Sequence, residues 1–296
     1  QFQGSVTARP LQTLIAKHQA DEIRERSRSG GAFVAISDQV LGMGGVVYGV
    51  SLDKNFQAAH ARAETREERN MFCGSKYVQS DTGHTFAQVI QDLRDGRTVL
   101  FSGTGCQVDG LKHYLSMHER DGYTGQLLTC DIICHGVMSP LVWENNLSYI
   151  RSKYGDNLQA VNFRDKRYGW DSHVESYTYI DYICRSDVYS SVFYENVALR
   201  PSCYGCPYTS LQRTADITLA DAWGLKRNYA QWDDNRGVSL IFLNTQAGIQ
   251  LFESAAHLKY TEVPLDDFMQ PNMQHPTARP AGRGDFWDSL FQNGFE

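Results

Sequence analysis

Between residues 29 and 150 the chain alternates between segments whose apolar residues recur at helical spacing and short, continuous apolar runs, and this constrains the fold more than any other feature. Ser29-Gly30-Gly31 opens a helical pattern through Phe33, Ile36 and Val40 that stops at Gly44-Gly45, and an apolar strand from Val46 to Val50 follows. Phe86, Val89, Ile90 and Leu93 mark a second helical face, closed by Gly96 before a strand from Thr98 to Phe101 and a loop, Ser102-Gly103-Thr104-Gly105-Cys106. Val108, Leu111 and Leu115 predict a third helix, Leu127 to Ile133 a strand, and Pro140 opens a helix through Trp143, Leu147 and Ile150. Strand and helix in rotation require crossover connections. The predicted fold is therefore α/β, a largely parallel or mixed sheet flanked by helices.

After residue 158 the texture changes, and the Tyr-, Thr- and β-branched-rich stretch from Val174 to Ile183 reads as hairpins of a smaller β-rich lobe. A strand from Val238 to Leu243 and a helix from Ala247 to Leu258 restore the first pattern, and the tail from Pro264 reads as surface wrapping. The expected division is 1–158 as α/β core, 159–236 as the β-rich lobe carrying a CxxC segment, and 237–296 as a return to the core plus tail.

With 296 residues, 42% of them apolar, the chain can bury a core that needs no covalent staples. A net charge of -6 argues against nucleic acid and anionic membranes as partners, since both demand clustered positive charge. Neither a membrane-length apolar run nor a basic stretch leading into an apolar one is present, so membrane insertion and secretion are not expected and the cytoplasm is. The sequence opens on Gln1 and is read as a trimmed piece that could lack an upstream segment.

Seven cysteines, an odd number in a chain without a secretion signal, point to buried thiols, a metal or redox chemistry rather than to disulfides. Cys106 follows one strand and Cys134 ends another, so both belong at the carboxyl edge of the sheet, where open α/β folds bind ligands. Cys203-Tyr204-Gly205-Cys206 has the spacing with which two thiolates grip one metal or cluster; iron-sulfur, zinc and a plain thiol pair are all compatible with it. Cys130 precedes Cys134 by four residues of strand, roughly 13 Å, too far for one cluster. It and Cys184 read as small core residues. Cys73 is open between a loop residue and a ligand or redox thiol.

The ordered blocks Ser29-Gly30-Gly31, Gly74-Ser75-Lys76-Tyr77-Val78-Gln79-Ser80, Leu100 to Gln107, Cys134-His135-Gly136-Val137, Asn162-Phe163-Arg164-Asp165-Lys166, and Cys203 to Cys206 with Ala215 to Thr218 and Trp223-Gly224 behind it resemble the beta-subunit family of coenzyme F420 hydrogenases and dehydrogenases. The resemblance runs from about residue 20 to 255. It implies an oxidoreductase with FAD beside a 4Fe-4S cluster, whose ligands fall on Cys106, Cys134, Cys203 and Cys206. It also implies a ferredoxin or another donor protein or subunit on one side and a small organic acceptor, the deazaflavin coenzyme in archaeal relatives, on the other. A flavin exchanges two electrons as hydride and a cluster carries one, so the pair converts between carrier types.

Three departures from the family pattern stand out. Gly105 replaces the usual proline before the loop cysteine, Arg28 interrupts the usual serine run before Gly30, and no clustered cysteines precede Cys73. Electrons are then expected from a separate protein or a missing segment.

The residues expected around the flavin are Ser29, Gly30, Gly31, Lys76, Tyr77, Gln79, Ser102, Gly103, Thr104, Asn162, Arg164, Lys166, Gly237 and Ser239. Gly30-Gly31 and Ser102-Gly103-Thr104 offer backbone donors to phosphate or equally a helix entry and a tight turn, and Gly237-Val238-Ser239 rests on the resemblance alone. Lys76 suits the anionic reduced ring or a solvated surface; Arg164 and Lys166 suit phosphates, a carboxylated partner, or a surface ion pair with Asp165 or another acid. His135 is read as a proton donor or as a hydrogen bond to a cluster sulfur, with Lys76 the second catalytic candidate, while Asp216 and Asp221 read as turn and cap residues. Two other readings stay open: a zinc-stapled binding or assembly protein without redox activity, and an electron-relay subunit of a larger complex.

Overall fold

The computed structural model describes residues 9–118 and 122–295. The chain begins with β1 (Gln12–His18), α1 (Asp21–Arg26), α2 (Ala32–Gly42), β2 (Val46–Leu52), β3 (Ala58–Ala63), α3 (Arg66–Asn70) and α4 (Thr85–Arg94). It continues through β4 (Val99–Thr104), α5 (Gly105–Met117), β5 (Leu127–Ile132), α6 (Pro140–Tyr154), β6 (Ala160–Asn162), β7 (Glu175–Thr178), β8 (Ile183–Ser186) and α7 (Val188–Tyr194). It closes with β9 (Ile217–Asp221), α8 (Leu225–Asn228), β10 (Ser239–Leu243), α9 (Gln246–Ser254), β11 (Leu258–Glu262) and α10 (Arg283–Asn293).

Eight strands form one mixed sheet in the order β11-β1-β10-β9-β5-β4-β2-β3. Its centre, β2, β4, β5 and β9, is parallel, and antiparallel strands complete both flanks. The central strands are continuous apolar runs because both faces are covered. Val47 and Leu100 pack under α2 and α9, whereas Val46, Tyr48, Val99 and Phe101 pack under α4 and α5. Gly96, at φ +77°, ends α4 and lets the chain turn into β4.

The second lobe is the three-stranded antiparallel sheet β6-β7-β8, with α6, α7 and α10 packed around Trp143, Phe163, Tyr177 and Tyr189. β9 falls inside the 159–236 stretch yet pairs with β5 and β10, so the chain is back in the main sheet before residue 237.

Four local differences from the sequence reading have identifiable causes. β1 and β3 lie outside the helix-strand rotation and join the sheet as antiparallel additions. Ser102, Gly103 and Thr104 continue β4 rather than forming a loop, paired with Cys130, Asp131 and Ile132 of β5. The helix expected to reach Leu258 stops at Ser254, because the turn through His257, at φ +66°, redirects the chain into β11. The tail carries a helix of its own, α10.

Candidate functional site

Parallel pairing sets Thr104 opposite Ile132, so Cys106 and Cys134, each two residues further on, leave the sheet at the same edge. The CxxC segment is carried to them by backbone pairing. The Arg200 amide donates to the Val137 carbonyl at 2.8 Å, and Leu199 bridges Met138. At Gly136, where φ is +138°, an added Cβ would stand 2.9 Å from Leu199 and 3.4 Å from the Cys203 Cβ, so glycine is what lets the two turns close. Burial, and then the neighbouring Cys203, Cys106 and Cys206, push the Cys134 thiol up to about 12. Cys203 is raised by burial and by Cys206 and Cys106. These four side chains therefore lie within electrostatic reach of one another. Cys106 is exposed, and the Thr104 hydroxyl lies 3.1 Å from its sulfur. Among the described residues, no group of three or more His, Cys, Asp or Glu is drawn tightly enough to hold a metal ion.

The other cysteines lie elsewhere. Cys130 is buried in β5, its thiol pushed well up by burial, and Cys184 faces the Tyr177 carbonyl at 3.6 Å. Cys73 is half-buried beside Lys76 and is likewise raised by burial.

Beneath the four thiols is a buried ion pair that the sequence reading did not single out. Arg213 pairs with Asp131 of β5 and donates to the carbonyls of Ile132, at 3.0 Å, and Tyr208. The Tyr208 hydroxyl in turn reaches Asp109 of α5. The guanidinium thus joins two of the thiol-bearing segments directly, and the Tyr208 hydroxyl joins the third. Burial raises the Asp131 carboxyl against the pull of Arg213. A Cβ on Gly105 would meet Tyr208 at 3.1 Å, and Arg213 and Asp131 at 3.3 Å, which is why a small residue stands there. The available signal was Asp131 itself, an acid inside an apolar strand.

At the same sheet edge, the residues around Gly30 interlock with those around Ser239. Ser29 Oγ donates to the Val238 carbonyl at 2.7 Å and the Gly30 amide to Ser239 Oγ at 3.0 Å. Lys166 Nζ donates to the carbonyls of Arg24, Ser27 and Ser29. Burial, then Arg28 and Arg24, bring that amine down to about 7. A Cβ on Gly30 would meet the Ala16 carbonyl at 2.3 Å, and one on Gly237, at φ +92°, the Ser29 carbonyl at 2.8 Å. Gly31 begins α2 at φ +88°, with no side chain capping the helix and no acid in its first turn.

The segment Lys76–Ser80 runs beside Met138, whose carbonyl accepts the Gln79 amide at 2.9 Å. Lys76 is half-exposed overall, but its amine is enclosed by the carbonyls of Met71, Cys73 and Gly74, and desolvation lowers it to about 8. Tyr77 stacks on Phe193 at 4.4 Å, and its hydroxyl faces Arg164. Asn162 accepts the Arg164 amide in a local turn. The buried Arg164 lies 3.6 Å from Asp221, while Asp165 is occupied by Arg167.

His135 is held on both sides: Nε2 meets Asn196 Oδ1 at 2.6 Å, and Asn272 Nδ2 meets Nδ1 at 3.3 Å. The two amides select the neutral ring protonated at Nε2, and burial lowers its pKa. Beyond its ring stand Phe193 at 5.0 Å and Tyr194 at 6.1 Å. A cavity of about 440 Å³ opens beside this edge, lined by Trp170, Ala222, Trp223, Leu225 and Asn235 among others. His60, Ser80 and Gln107, also not anticipated as a group, form a hydrogen-bonded chain ending at Thr104, next to Cys106.

No helix among the described residues is long and apolar enough to cross a membrane. No curated protein matches the chain. Among solved structures, it is similar to a chain of the F420-reducing NiFe hydrogenase complex from Methanosarcina barkeri, with a TM-score of 0.61 and 16% identity, over 90% of this chain and 86% of that one. At that identity the likeness is one of fold. The family model that describes the C terminus of the coenzyme F420 hydrogenase/dehydrogenase beta subunit matches residues 96–267. That stretch is more than half of the 296 residues and includes all four converging cysteines, so the chain belongs to the coenzyme F420 hydrogenase/dehydrogenase beta-subunit family.

Proposed function

We propose that this protein is an FAD- and 4Fe-4S-dependent oxidoreductase that moves electrons between a one-electron donor, a ferredoxin-like protein or a partner subunit, and a two-electron organic acceptor. The observation that supports this reading is the placing of four cysteines from three separate stretches of chain at one sheet edge, near enough for their thiols to influence one another electrostatically. Soft thiolate ligands suit iron-sulfur chemistry, and Cys106, Cys134, Cys203 and Cys206 would hold the cluster. For FAD, the uncapped, acid-free start of α2 at Gly31 suits a phosphate, and the aromatic faces of Tyr77 and Trp223 suit a flat ring. When bound, the cluster carries single electrons and the flavin carries pairs as hydride.

The chain's own residues orient and enclose. Asn196 and Asn272 hold the His135 ring and with it the turn that bears Cys134, so His135 acts as a positioning residue. Lys76 keeps its enclosed amine at the end of the segment that carries Tyr77 and Gln79. Seven unpaired cysteines suit a reducing cytoplasm.

Anaerobic purification with iron, sulfide and flavin analysis tests the reading. A brown-yellow protein with sulfide-bridged iron and flavin is expected, with iron lost in Ser variants of any of the four cysteines and kept in Cys130→Ser. A colourless, zinc-loaded protein would sink it in favour of a zinc-stapled scaffold. The fold neighbour belongs to a hydrogenase complex, which favours a relay subunit as the second reading; absence of turnover with small acceptors by the isolated, cofactor-loaded protein would select it.

A further inference from the structure

Two guanidiniums, Arg28 and Arg164, are drawn onto the same pair of oxygens. They lie 3.7 and 3.6 Å from Asp221 Oδ2, and both donate to the Trp170 carbonyl. Their side chains are only 11% and 5% exposed, so one largely buried and one buried cation share one carboxylate. Of the other acids in the region, Asp234 is taken by Arg24 and Lys17, and Asp171, beside Trp170, acts on His173 but forms no ion pair with either arginine among the described residues. Among the described residues, Arg28 Nε and Nη1 are buried without a hydrogen-bond partner. A buried guanidinium with open donors is costly, and the cost is removed when an anion completes the site.

The neighbours register the same excess of positive charge. Burial and then Arg164 and Arg28 lower His173; burial and then Arg28 and Arg24 lower Lys166. Aromatic faces border the pair: the Arg164 guanidinium lies 5.3 Å from the Trp223 ring, which itself stacks on Trp170 at 4.7 Å. Tyr194 reaches solvent on one side and stands 6.1 Å from His135, the residue after Cys134, on the other.

We propose that Arg28 and Arg164 form an anion site that takes a carboxylate or phosphate carried by a small organic ligand, with Asp221 as the internal competitor that the ligand displaces. The anion belongs either to the flavin nucleotide or to the acceptor. Assigning it to either rests on the electron-transfer reading, whereas the anion site itself does not.

The test is titration of the purified full chain, freed of any bound flavin, with inorganic phosphate and with succinate, read by tryptophan fluorescence, since Trp170 and Trp223 touch the site. At least one probe is expected to bind saturably, about tenfold or more weaker in Arg28→Gln, the effect of removing charge-assisted hydrogen bonds. Asp221→Asn is expected to bind the same probe more tightly than wild type, a change that misfolding does not produce. Absence of saturable binding, or wild-type affinity in both variants, overturns the proposal. Flavin retention after gel filtration separates the sources: its loss in Arg28→Gln assigns the anion to the flavin nucleotide, and its retention together with weakened probe binding assigns it to the acceptor. Iron and flavin analysis of the same preparations, before flavin is removed, keeps the two readings apart. A protein that holds both groups but shows no variant effect loses only the anion site; one that holds neither but shows the effect loses only the electron-transfer reading.

Discussion

A single buried arginine braces the thiol-bearing segments alongside their backbone pairing. Arg213 joins Asp131 at the end of β5 to the backbone following Cys206, in a place where neither charge meets water. Removing one partner leaves the other buried and alone, so Arg213→Ala is expected to cost about 3–5 kcal/mol in chemical denaturation. The double variant Asp131→Leu with Arg213→Met should recover most of that loss. If the single variant unfolds at the wild-type midpoint, the pair does not organise the site. That Cys106 and Cys134 leave the sheet at one edge was legible in the sequence, because a position just past a strand is a local property. The pair beneath them was not, because Asp131 and Arg213 are far apart in sequence and meet only through the pairing of β5 with β9.

Among the elements, the tail contributes most beyond the sequence reading. Surface wrapping was expected from Pro264 onward; instead, α10 and the turns before it lock the site from outside. Asn272 and Thr277 hold His135, and Arg283 bonds the Val197 carbonyl and the Tyr204 hydroxyl at 2.8 Å while lying 5.1 Å from the Tyr204 ring. Tyr204 is inside the CxxC turn, so Arg283→Ala is expected to loosen that turn. A local loss of about 1 kcal/mol is about a fivefold gain in opening, which should appear as faster reaction of Cys203 and Cys206 with a thiol reagent in metal-free protein while Cys130 stays protected. Unchanged rates would show that the tail does not brace the turn. The helical spacing in residues 283–293 is short and its partners lie in the small lobe, so its packing could not be read locally.

At the scale of the whole molecule, the small lobe adds a pH dependence to folding. Glu175 is buried under α7, accepts the amides of Tyr189 and Ser190 at 3.2 and 3.0 Å, and is still raised by desolvation from 4.5 to about 7. A carboxyl that keeps its proton in the fold but loses it in the unfolded chain contributes full stability below pH 4.5. That contribution declines as pH rises toward about 7, by at most roughly 3 kcal/mol. The histidines His60, His135 and His173, lowered by desolvation, act in the opposite sense over much of that range, so the difference between proteins carries the test: across it the denaturation midpoint of Glu175→Gln should gain on that of wild type as pH rises, and parallel profiles would reject the assignment. The α/β class, the crossover order from β2 to β5 and the edge on which the cysteines emerge follow from local periodicity, since a buried strand or an amphipathic helix is written into its own residues. The antiparallel flanks, the carbonyl knot around Lys166 and the crowding of Arg28 and Arg164 onto Asp221 were decided by tertiary structure alone. They depend on which distant backbones pair and which charges lose their water, and no window of neighbouring residues encodes either.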